Sequence, residues 1–261
     1  MSTIQPGSEP RARRRAVLWV QVLDLFLIEM TNWRWSWRYM LLTATLTPMV
    51  GILGLGVFAR DSGPEALAFV LTGNAVVSLI FGTMSNVESR FSFMRLRGGV
   101  DYYASLPVRR YALIVAVVLS FLLLSLPSLA VTVGLGAWIL GIRISLHPAI
   151  VLVVPLCAVC MAGVGALIGC SVPEPSQGGA VNLLVTMIMM GLGPVIVPPD
   201  RLPGVLLVLG RLSPATYAAS AFRQALLGPV TGQILIDLAV LAAISVVVLG
   251  VVGQVMDWRQ R

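Results

Sequence analysis

The sequence predicts an all-α membrane protein with six transmembrane helices, an N-terminal amphipathic interfacial helix, and a short outer helical hairpin between spans 5 and 6. Composition, charge-free windows and arginine placement predict this fold class. Apolar residues make up 57% of the 261 residues and charged residues only 11%, whereas an ordinary soluble domain is about 25% charged. Together with a mean hydropathy of +0.92, this composition excludes a soluble globular enzyme as the default.

Six windows of 19 to 32 residues contain no charged residue. A helix of about 20 apolar residues crosses about 30 Å of hydrocarbon, so each window holds one span. The predicted spans cover about residues 39–59, 66–87, 111–138, 149–172, 178–197 and 234–256. They belong to one membrane domain, residues 1–261, which begins with a basic tail over residues 1–15.

Arginine placement predicts the orientation of the spans, because positive charge stays on the cytoplasmic side of short loops. With the amino terminus inside, the cytoplasmic segments contain 13 of the 18 arginines and the outer segments contain 5. Both termini are therefore expected in the cytoplasm, with the chain in a bacterial inner or plasma membrane. The chain contains no lysine, so it lacks the lysine-dependent phosphate-binding loop of many ATPases.

Residues 16–38 predict a helix that lies flat at the membrane interface before the first span. One arc about 100° wide collects apolar residues without a polar one, which is the pattern of an amphipathic helix. The residues on that arc are Trp19, Val22, Leu23, Phe26, Met30, Trp33 and Trp37. Asp24 and Glu29 lie outside the arc and exclude an ordinary first span, because hydrocarbon disfavours their charge.

The segment between the fifth and sixth spans contains two short apolar stretches, 205–212 and 218–227, punctuated by prolines. Each stretch is too short to span, so they predict a helical hairpin that enters the outer leaflet and packs against protein. Asp237 is the one acid near a predicted span interior, which makes it a candidate for the transport pathway or for pairing with Arg223.

The cysteines and the single histidine are the other residues that could carry chemistry, and their sequence context favours a structural role. Cys157 and Cys160 form a C-x-x-C pattern in mid-span beside alanine and glycine, where cysteine acts as a small packing residue. His147 is the only histidine, so it forms no metal site by itself. An intramembrane enzyme is thus poorly supported, and neither a metal nor a nucleic acid partner is expected.

The stretch from Glu88 to Arg110 carries aromatic side chains among arginines, a combination typical of protein interface hot spots. At 23 residues it exceeds what membrane topology requires, which favours a docking knob for a soluble partner. The candidate docking residues are Arg90, Phe91, Phe93, Met94, Arg95, Leu96, Arg97 and Gly98.

Over nearly its whole length the chain resembles the type-2 ABC exporter permease family. The resemblance rests on the amphipathic helix, the loop from Glu88 through Gly98 to Leu106-Pro107 and Arg110, and the outer segment with Leu202-Pro203. Its most specific part is the segment 212–228 before the last span. The residues that carry this match are Ser213, Pro214, Tyr217, Arg223 and Gly228.

The resemblance implies a permease subunit that pairs with a second permease subunit and with a separate ATPase dimer, which holds ATP and Mg²⁺. The amphipathic helix and the Arg90–Gly98 helix would contact that ATPase. The implied cargo is a hydrophobic drug, antibiotic, lipid or lipid-linked glycan. A non-transporting membrane scaffold or assembly factor is the alternative.

Overall fold

The computed structural model describes residues 18–33, 37–60, 62–106 and 108–256. The basic tail 1–15, residues 34–36, Pro107 and the carboxyl-terminal arginines lie outside the described residues. Within those ranges the chain is helical and contains no β-strand. The helices are α1 Leu18–Trp33, α2 Trp37–Arg60, α3 Pro64–Leu79, α4 Ser85–Leu96, α5 Gly99–Ser105, α6 Arg110–Leu140, α7 Ile150–Ser171, α8 Pro175–Gly191, α9 Gly204–Gly210, α10 Pro214–Leu227 and α11 Gln233–Val255.

Five helical segments of the described chain are long and apolar enough to cross a membrane. They are Trp37–Ala59, Pro64–Leu96, Arg110–Leu140, Ile150–Ser171 and Gln233–Val255. The remaining predicted span corresponds to α8, which has 17 residues and ends at Gly191 rather than at residue 197. The backbone turns there because Gly193 adopts a φ of 93° and Pro194 follows it. The predicted all-helical membrane fold is confirmed.

α3 passes through a π-helical turn at Ile80–Met84 directly into α4. The helix therefore extends to Leu96, nine residues beyond the predicted end of the second span at residue 87. A π turn frees backbone carbonyl groups from the regular ladder. The Asn86 side chain meets two of these groups, because its Nδ2 donates to the oxygens of Phe81 at 2.7 Å and Gly82 at 3.2 Å. The docking segment is therefore a rigid extension of a span.

Small residues bring α7 close to this long helix. A Cβ atom on Gly165 would collide with the carbonyl oxygen of Met84, and one on Gly169 would lie 2.5 Å from the carbonyl oxygen of Glu88. Cys157 and Cys160 are fully buried in the same core. The prediction that α7 packs through small residues, its cysteines included, is confirmed.

The predicted outer hairpin is present as two helices, α9 and α10, whose axes are bent by 88°. Its second helix is capped by the loop between α6 and α7. The Ser145 amide donates to the oxygen of Leu226 at 2.8 Å, and the His147 amide donates to that of Ala225 at 2.9 Å. These carbonyl groups belong to the last turn of α10, where a helix leaves acceptors unpaired.

Candidate functional site

The exposed end of α4 consists of Phe93, Arg95, Leu96 and Arg97. Phe93 is 43% exposed and Leu96 is 62% exposed. The guanidinium of Arg97 lies over the Phe93 ring, with its Cζ atom 5.6 Å from the ring centroid. We call these four residues the α4 tip. Apolar and arginine side chains side by side form the kind of surface that protein interfaces use.

Other residues of the predicted docking knob face inward, which corrects the sequence prediction. Phe91 is 0% exposed and Met94 is 3% exposed, in a core shared with α6 and α7. α4 contacts α7 on one side and α8 on another, so only one face of the helix remains outside. Phe91 and Met94 therefore support the tip from within and are not available to a partner.

Arg90 also has a partner within the chain. Its Nη2 donates to Oε1 of Glu29 at 2.6 Å, and its Nε donates to Oε2 of Glu29 at 3.0 Å. Glu29 is 1% exposed and Arg90 is 21% exposed. Two parallel charge-assisted hydrogen bonds fix direction as well as distance. The pair therefore joins α1 to α4 across 61 residues of sequence, and Arg90 is removed from the docking prediction.

The same contact corrects the predicted orientation of the interfacial helix. The buried side of α1 consists of Gln21, Val22, Leu25 and Glu29, so polar side chains point toward the protein. Gln21 accepts a hydrogen bond at its Oε1 from the Arg109 amide at 3.1 Å. Polar groups at these positions are tolerated because each is met by a partner from another helix.

The tryptophans of the predicted arc separate into different environments. Trp19 is 74% exposed, whereas Trp33 packs edge-on against the buried ring of Phe121 at 5.2 Å. Phe26 is half-buried. The described part of α1 is Leu18–Trp33, and Trp37 is the first residue described in α2. The residues between Trp33 and Trp37 lie outside the described part of the chain, so the carboxyl end of the helix predicted over residues 16–38 stays a prediction.

Arg95 anchors the tip to the opposite neighbour of α4. Its Nη1 donates to the carbonyl oxygens of Cys170 at 2.6 Å and Val172 at 3.1 Å. These acceptors belong to the carboxyl end of α7, where a cation also interacts favourably with the helix dipole. α4 is thus tied to α1 through Arg90 and to α7 through Arg95.

The turn after the tip depends on Gly98, whose φ of 66° lies in the left-handed region that glycine adopts without strain. α5 follows at once, with Tyr102 exposed and Tyr103 buried. Burial raises the pKa of the Tyr103 hydroxyl, and the negative charge of Glu29 raises it further. Tyr103 therefore remains neutral beside the ion pair at physiological pH.

Glu88, predicted from sequence to begin a loop, is a buried acid in the first turn of α4. It is 4% exposed, and its Oε1 accepts a hydrogen bond from Ser92 at 2.9 Å. Its neighbour is α8, where a Cβ on Gly178 would collide with that oxygen. One turn along, Asn182 donates from Nδ2 to Oγ of Ser85 at 2.9 Å. The spacing of Ser85, Glu88 and Ser92 places them on one face of a helix, and this polar face is the sequence pattern that could have predicted a contact with another helix.

At the other end of the molecule, Asp237 is 1% exposed and is held by neutral side chains. Its Oδ2 accepts from Ser220 at 2.6 Å and from Gln224 at 3.2 Å, and its Oδ1 accepts from Gln233 at 3.2 Å. Ser220 and Gln224 lie on α10, so the network joins the hairpin to the last span. Arg223 does not form a salt bridge with Asp237, although its charge acts on this carboxylate over a longer distance.

Arg223 instead lies against α3. Its Cζ is 3.6 Å from the centroid of the Phe69 ring, a cation–π contact. Tyr217 donates from its hydroxyl to the carbonyl oxygen of Arg211 at 2.8 Å, which closes the bend between α9 and α10. Pro214 occupies the first turn of α10, and Gly228 ends that helix with a φ of 63°. These four predicted residues all have structural roles in the hairpin.

The described part of the chain contains no group of three or more histidine, cysteine or acidic residues arranged to hold a metal ion. No curated protein matches the sequence. Residues 20–227 match the family described as ABC-2 type transporter. The chain belongs to this family. It is a multi-pass membrane permease of the ABC transporter class, a family whose members normally pair with an ATPase subunit.

Proposed function

We propose that this chain is the membrane subunit of an ATP-driven exporter in a bacterial cell membrane, with both termini in the cytoplasm. A separate ATPase dimer binds the α4 tip and α1, and a second permease subunit completes the pore. Hydrolysis on the ATPase then rearranges the helices and moves a hydrophobic drug, antibiotic, lipid or lipid-linked glycan outward.

The ion pair between Glu29 and Arg90 is the observation that carries this proposal. It lies directly behind the exposed tip, about one helical turn before Phe93, the first residue of the tip. A push on the tip is transmitted to α1 through two short hydrogen bonds, and to α7 through Arg95. Because α4 continues into a span, displacement of the tip also displaces the membrane helices.

Apolar cargo is supported by the side of α8 that faces away from the rest of the chain. Leu184, Met187 and Ile188 are between 47% and 62% exposed on that side. The helix carries no charged residue between Pro175 and Gly191. A path formed beside this helix therefore favours molecules that hydrocarbon also accepts.

The docking test is co-expression with a candidate ABC ATPase subunit, followed by affinity capture. Arg97→Glu and Phe93→Ala should abolish capture while leaving thermal unfolding of the permease unchanged, because both side chains are exposed. Arg143→Glu and Trp138→Ala are matched controls at the opposite end of α6, where both residues are also exposed. Capture that survives both tip variants contradicts the proposed docking surface.

Arg95 is unsuitable for this test, because it caps the carboxyl end of α7 and its loss also perturbs the fold.

The orientation of the chain in the membrane is measured separately, by labelling introduced cysteines. The native cysteines are buried and give little background labelling. Leu96→Cys should react with a membrane-impermeant maleimide only after cells are opened, whereas Arg143→Cys should react in intact cells. The reverse pattern contradicts the orientation.

Transport itself is measured with the purified complex in vesicles, using ATP-dependent movement of a fluorescent hydrophobic amine and a labelled phospholipid. Movement that requires ATP and disappears in Arg97→Glu supports export. Intact ATP hydrolysis without movement of either probe favours the alternative of a scaffold or assembly factor. Movement by the permease chain alone contradicts the dependence on a partner ATPase.

A further inference from the structure

A row of polar side chains lies between α4 and α8, behind the α4 tip. Ser85, Glu88 and Ser92 share one face of α4, and they face Gly178 and Asn182 on α8. A Cβ atom on Gly178 would collide with Glu88 and lie close to Ser92, so the two helices are in direct contact. We call these residues the polar seam. A buried acid in a span commonly marks the path of a substrate or an ion, which makes the seam a candidate binding site.

Glu88 has no ion-pair partner in the part of the chain that the structure describes. Its side chain is 4% exposed, and its Oε1 accepts from the neutral hydroxyl of Ser92. Both arginines of α4 turn to other helices, because Arg90 binds Glu29 on α1 and Arg95 binds the carboxyl end of α7. A carboxylate that is buried without an opposite charge is stabilised by a cation that enters beside it.

Asn182 adds an acceptor that lacks a donor. Its side chain is 7% exposed and points into the seam, because its Nδ2 donates to Oγ of Ser85 at 2.9 Å. Its Oδ1 is buried, and no group of the described residues donates to it. An acceptor left in this state costs about 1–3 kcal/mol. A protonated amine suits both needs, since it carries a positive charge and several N–H donors.

The ends of α8 allow the helix to separate from α4 as one rigid rod. The backbone is extended at Glu174 before the helix and at Leu192 after it, and Gly193 follows with a φ of 93°. The contact between α4 and α7 is different, because Gly165 and Gly169 there bring backbone against backbone. The polar seam is held by side-chain hydrogen bonds, and bonds from a ligand can take their place.

The seam borders the apolar surface of α8. Leu183 and Leu184 follow Asn182 directly and are 50% and 58% exposed, and Met187 is 62% exposed one turn further along. A ligand whose charge lies in the seam therefore places its remaining atoms against apolar side chains. A charged group joined to an apolar body is the structure of an amphiphile.

We propose that the polar seam binds the protonated amine of an amphiphilic cargo when α8 moves away from α4. Glu88 supplies the opposite charge, Oδ1 of Asn182 and the hydroxyl of Ser85 accept N–H donors, and the apolar part of the cargo lies along α8. This inference rests on the proposed export function and narrows its cargo to amphiphilic amines. An anionic headgroup is disfavoured in the seam, because its charge has the same sign as that of Glu88.

Photolabelling of the full-length chain in phosphatidylcholine nanodiscs tests the site without ATP. The probe is a long-chain primary amine with a diazirine beside its amino group, and the comparison probe is its neutral N-acetyl derivative. The amine should label peptides that contain Ser85–Ser92 and Gly178–Asn182 about tenfold more strongly than the neutral probe, which corresponds to about 1.4 kcal/mol. Equal labelling by the two probes, or amine label spread evenly over all exposed helix faces, overturns the proposal.

Glu88→Gln should remove the preference for the amine, because the variant keeps the size of the side chain and an acceptor for Ser92 but loses the charge. Thermal unfolding of this variant should not shift downward, which separates lost binding from lost folding. Asp24→Asn is the matched control, since Asp24 is an exposed acid on α1, and it should keep the preference. A preference that survives Glu88→Gln contradicts the role of the carboxylate.

The movement of α8 is tested with a disulfide across the seam, formed by Ser85→Cys with Asn182→Cys. The oxidised variant should lose the amine-specific label, and reduction of the same variant should restore it. Ser78→Cys with Ser128→Cys is the control, because those hydroxyl oxygens lie 3.4 Å apart between α3 and α6, and its label should not change on oxidation. Labelling that persists in the oxidised seam variant overturns the proposed opening.

Transport by the complex in vesicles separates this inference from the export function. ATP-dependent movement of the labelled phospholipid without movement of the amine overturns the amine site and leaves export standing. Labelling of the seam by the amine, without ATP-dependent movement of either probe, supports the site and contradicts export. Movement of the amine that disappears in Glu88→Gln, while capture of the ATPase is retained, supports both.

Discussion

Glu29 and Asp237 are both 1% exposed, yet different kinds of donor hold them. Glu29 receives a bidentate guanidinium from Arg90. Asp237 receives a hydroxyl from Ser220 and amide groups from two glutamines. The two carboxylates lie toward opposite ends of the bundle. Asp237 lies near the start of α11, whereas Gly253 near the end of α11 packs against Tyr111 at the start of α6. α1, which carries Glu29, is bonded through Gln21 to Arg109 at that same end of α6.

The difference shows how each carboxylate is suited to its place. An ion pair links two helices through a single partner on each side. The whole stabilising interaction is therefore lost when either side chain is replaced. A carboxylate held by several neutral donors spreads the contact, and each donor contributes about 1 kcal/mol. We therefore expect the α1–α4 joint to be more sensitive to single substitutions than the α10–α11 joint.

The largest effect is expected for Glu29→Gln. Removing the charge leaves the partly buried Arg90 without its counter-ion, so the free energy of unfolding should fall by about 2–4 kcal/mol. Equilibrium unfolding in mixed micelles measures this loss. Asp24→Asn is the matched control, because Asp24 is exposed on the same helix and should have almost no effect. The swap of Glu29→Arg with Arg90→Glu should recover part of the loss, and failure to separate Glu29 from Asp24 would contradict the joint.

Asp237→Ala should have the next largest effect, about 2–3 kcal/mol, because three donors lose their acceptor. Asp237→Asn should cost about 1 kcal/mol or less, since the amide oxygen of asparagine can occupy the position of Oδ2 and accept from Ser220 and Gln224. The same unfolding assay compares both with Asp200→Asn, an exposed acid outside the network. If the asparagine variant is as unstable as the alanine variant, charge rather than hydrogen bonding holds this joint.

The smallest effect of the three is expected at the turn between α10 and α11. Gly228 has a φ of 63° and a ψ of 179°, a conformation restricted almost entirely to glycine. Gly228→Ala should therefore cost about 1–3 kcal/mol. Gly232→Ala is the control, because Gly232 has a φ of −58° and open space at its Cβ position. Equal stability of the two variants would exclude backbone strain as the constraint.

Much of the fold could be predicted from the absence of charge. Charge-free windows located the spans, because burial in hydrocarbon excludes charged residues whatever the packing of the helices. The hairpin was also predictable, since prolines and glycines interrupt stretches too short to cross. Family membership followed from the segment around Ser213-Pro214 and Gly228, and residues 20–227 match that family.

The buried charges could not be predicted in the same way. Glu29 and Arg90 are 61 residues apart, and nothing local in either helix indicates the other partner. From the sequence, Glu29 is therefore predicted to lie outside the apolar arc of α1, and Arg90 is predicted to lie in the docking surface. Phe91 and Met94 were misplaced for a related reason, because a charged segment predicts exposure of the whole segment, whereas the helix has a buried and an exposed face.

The π turn at Ile80–Met84 has a consequence for the long helix that contains it. One extra residue in a helix rotates everything after it by about 100° relative to everything before it. Deleting a single residue from the turn would therefore carry Glu88 away from α8 and Arg90 away from α1 at the same time. The widened turn therefore fixes which face of α4 lies on the same side as a given face of α3. Through that rotation it determines the directions in which the residues of the tip point.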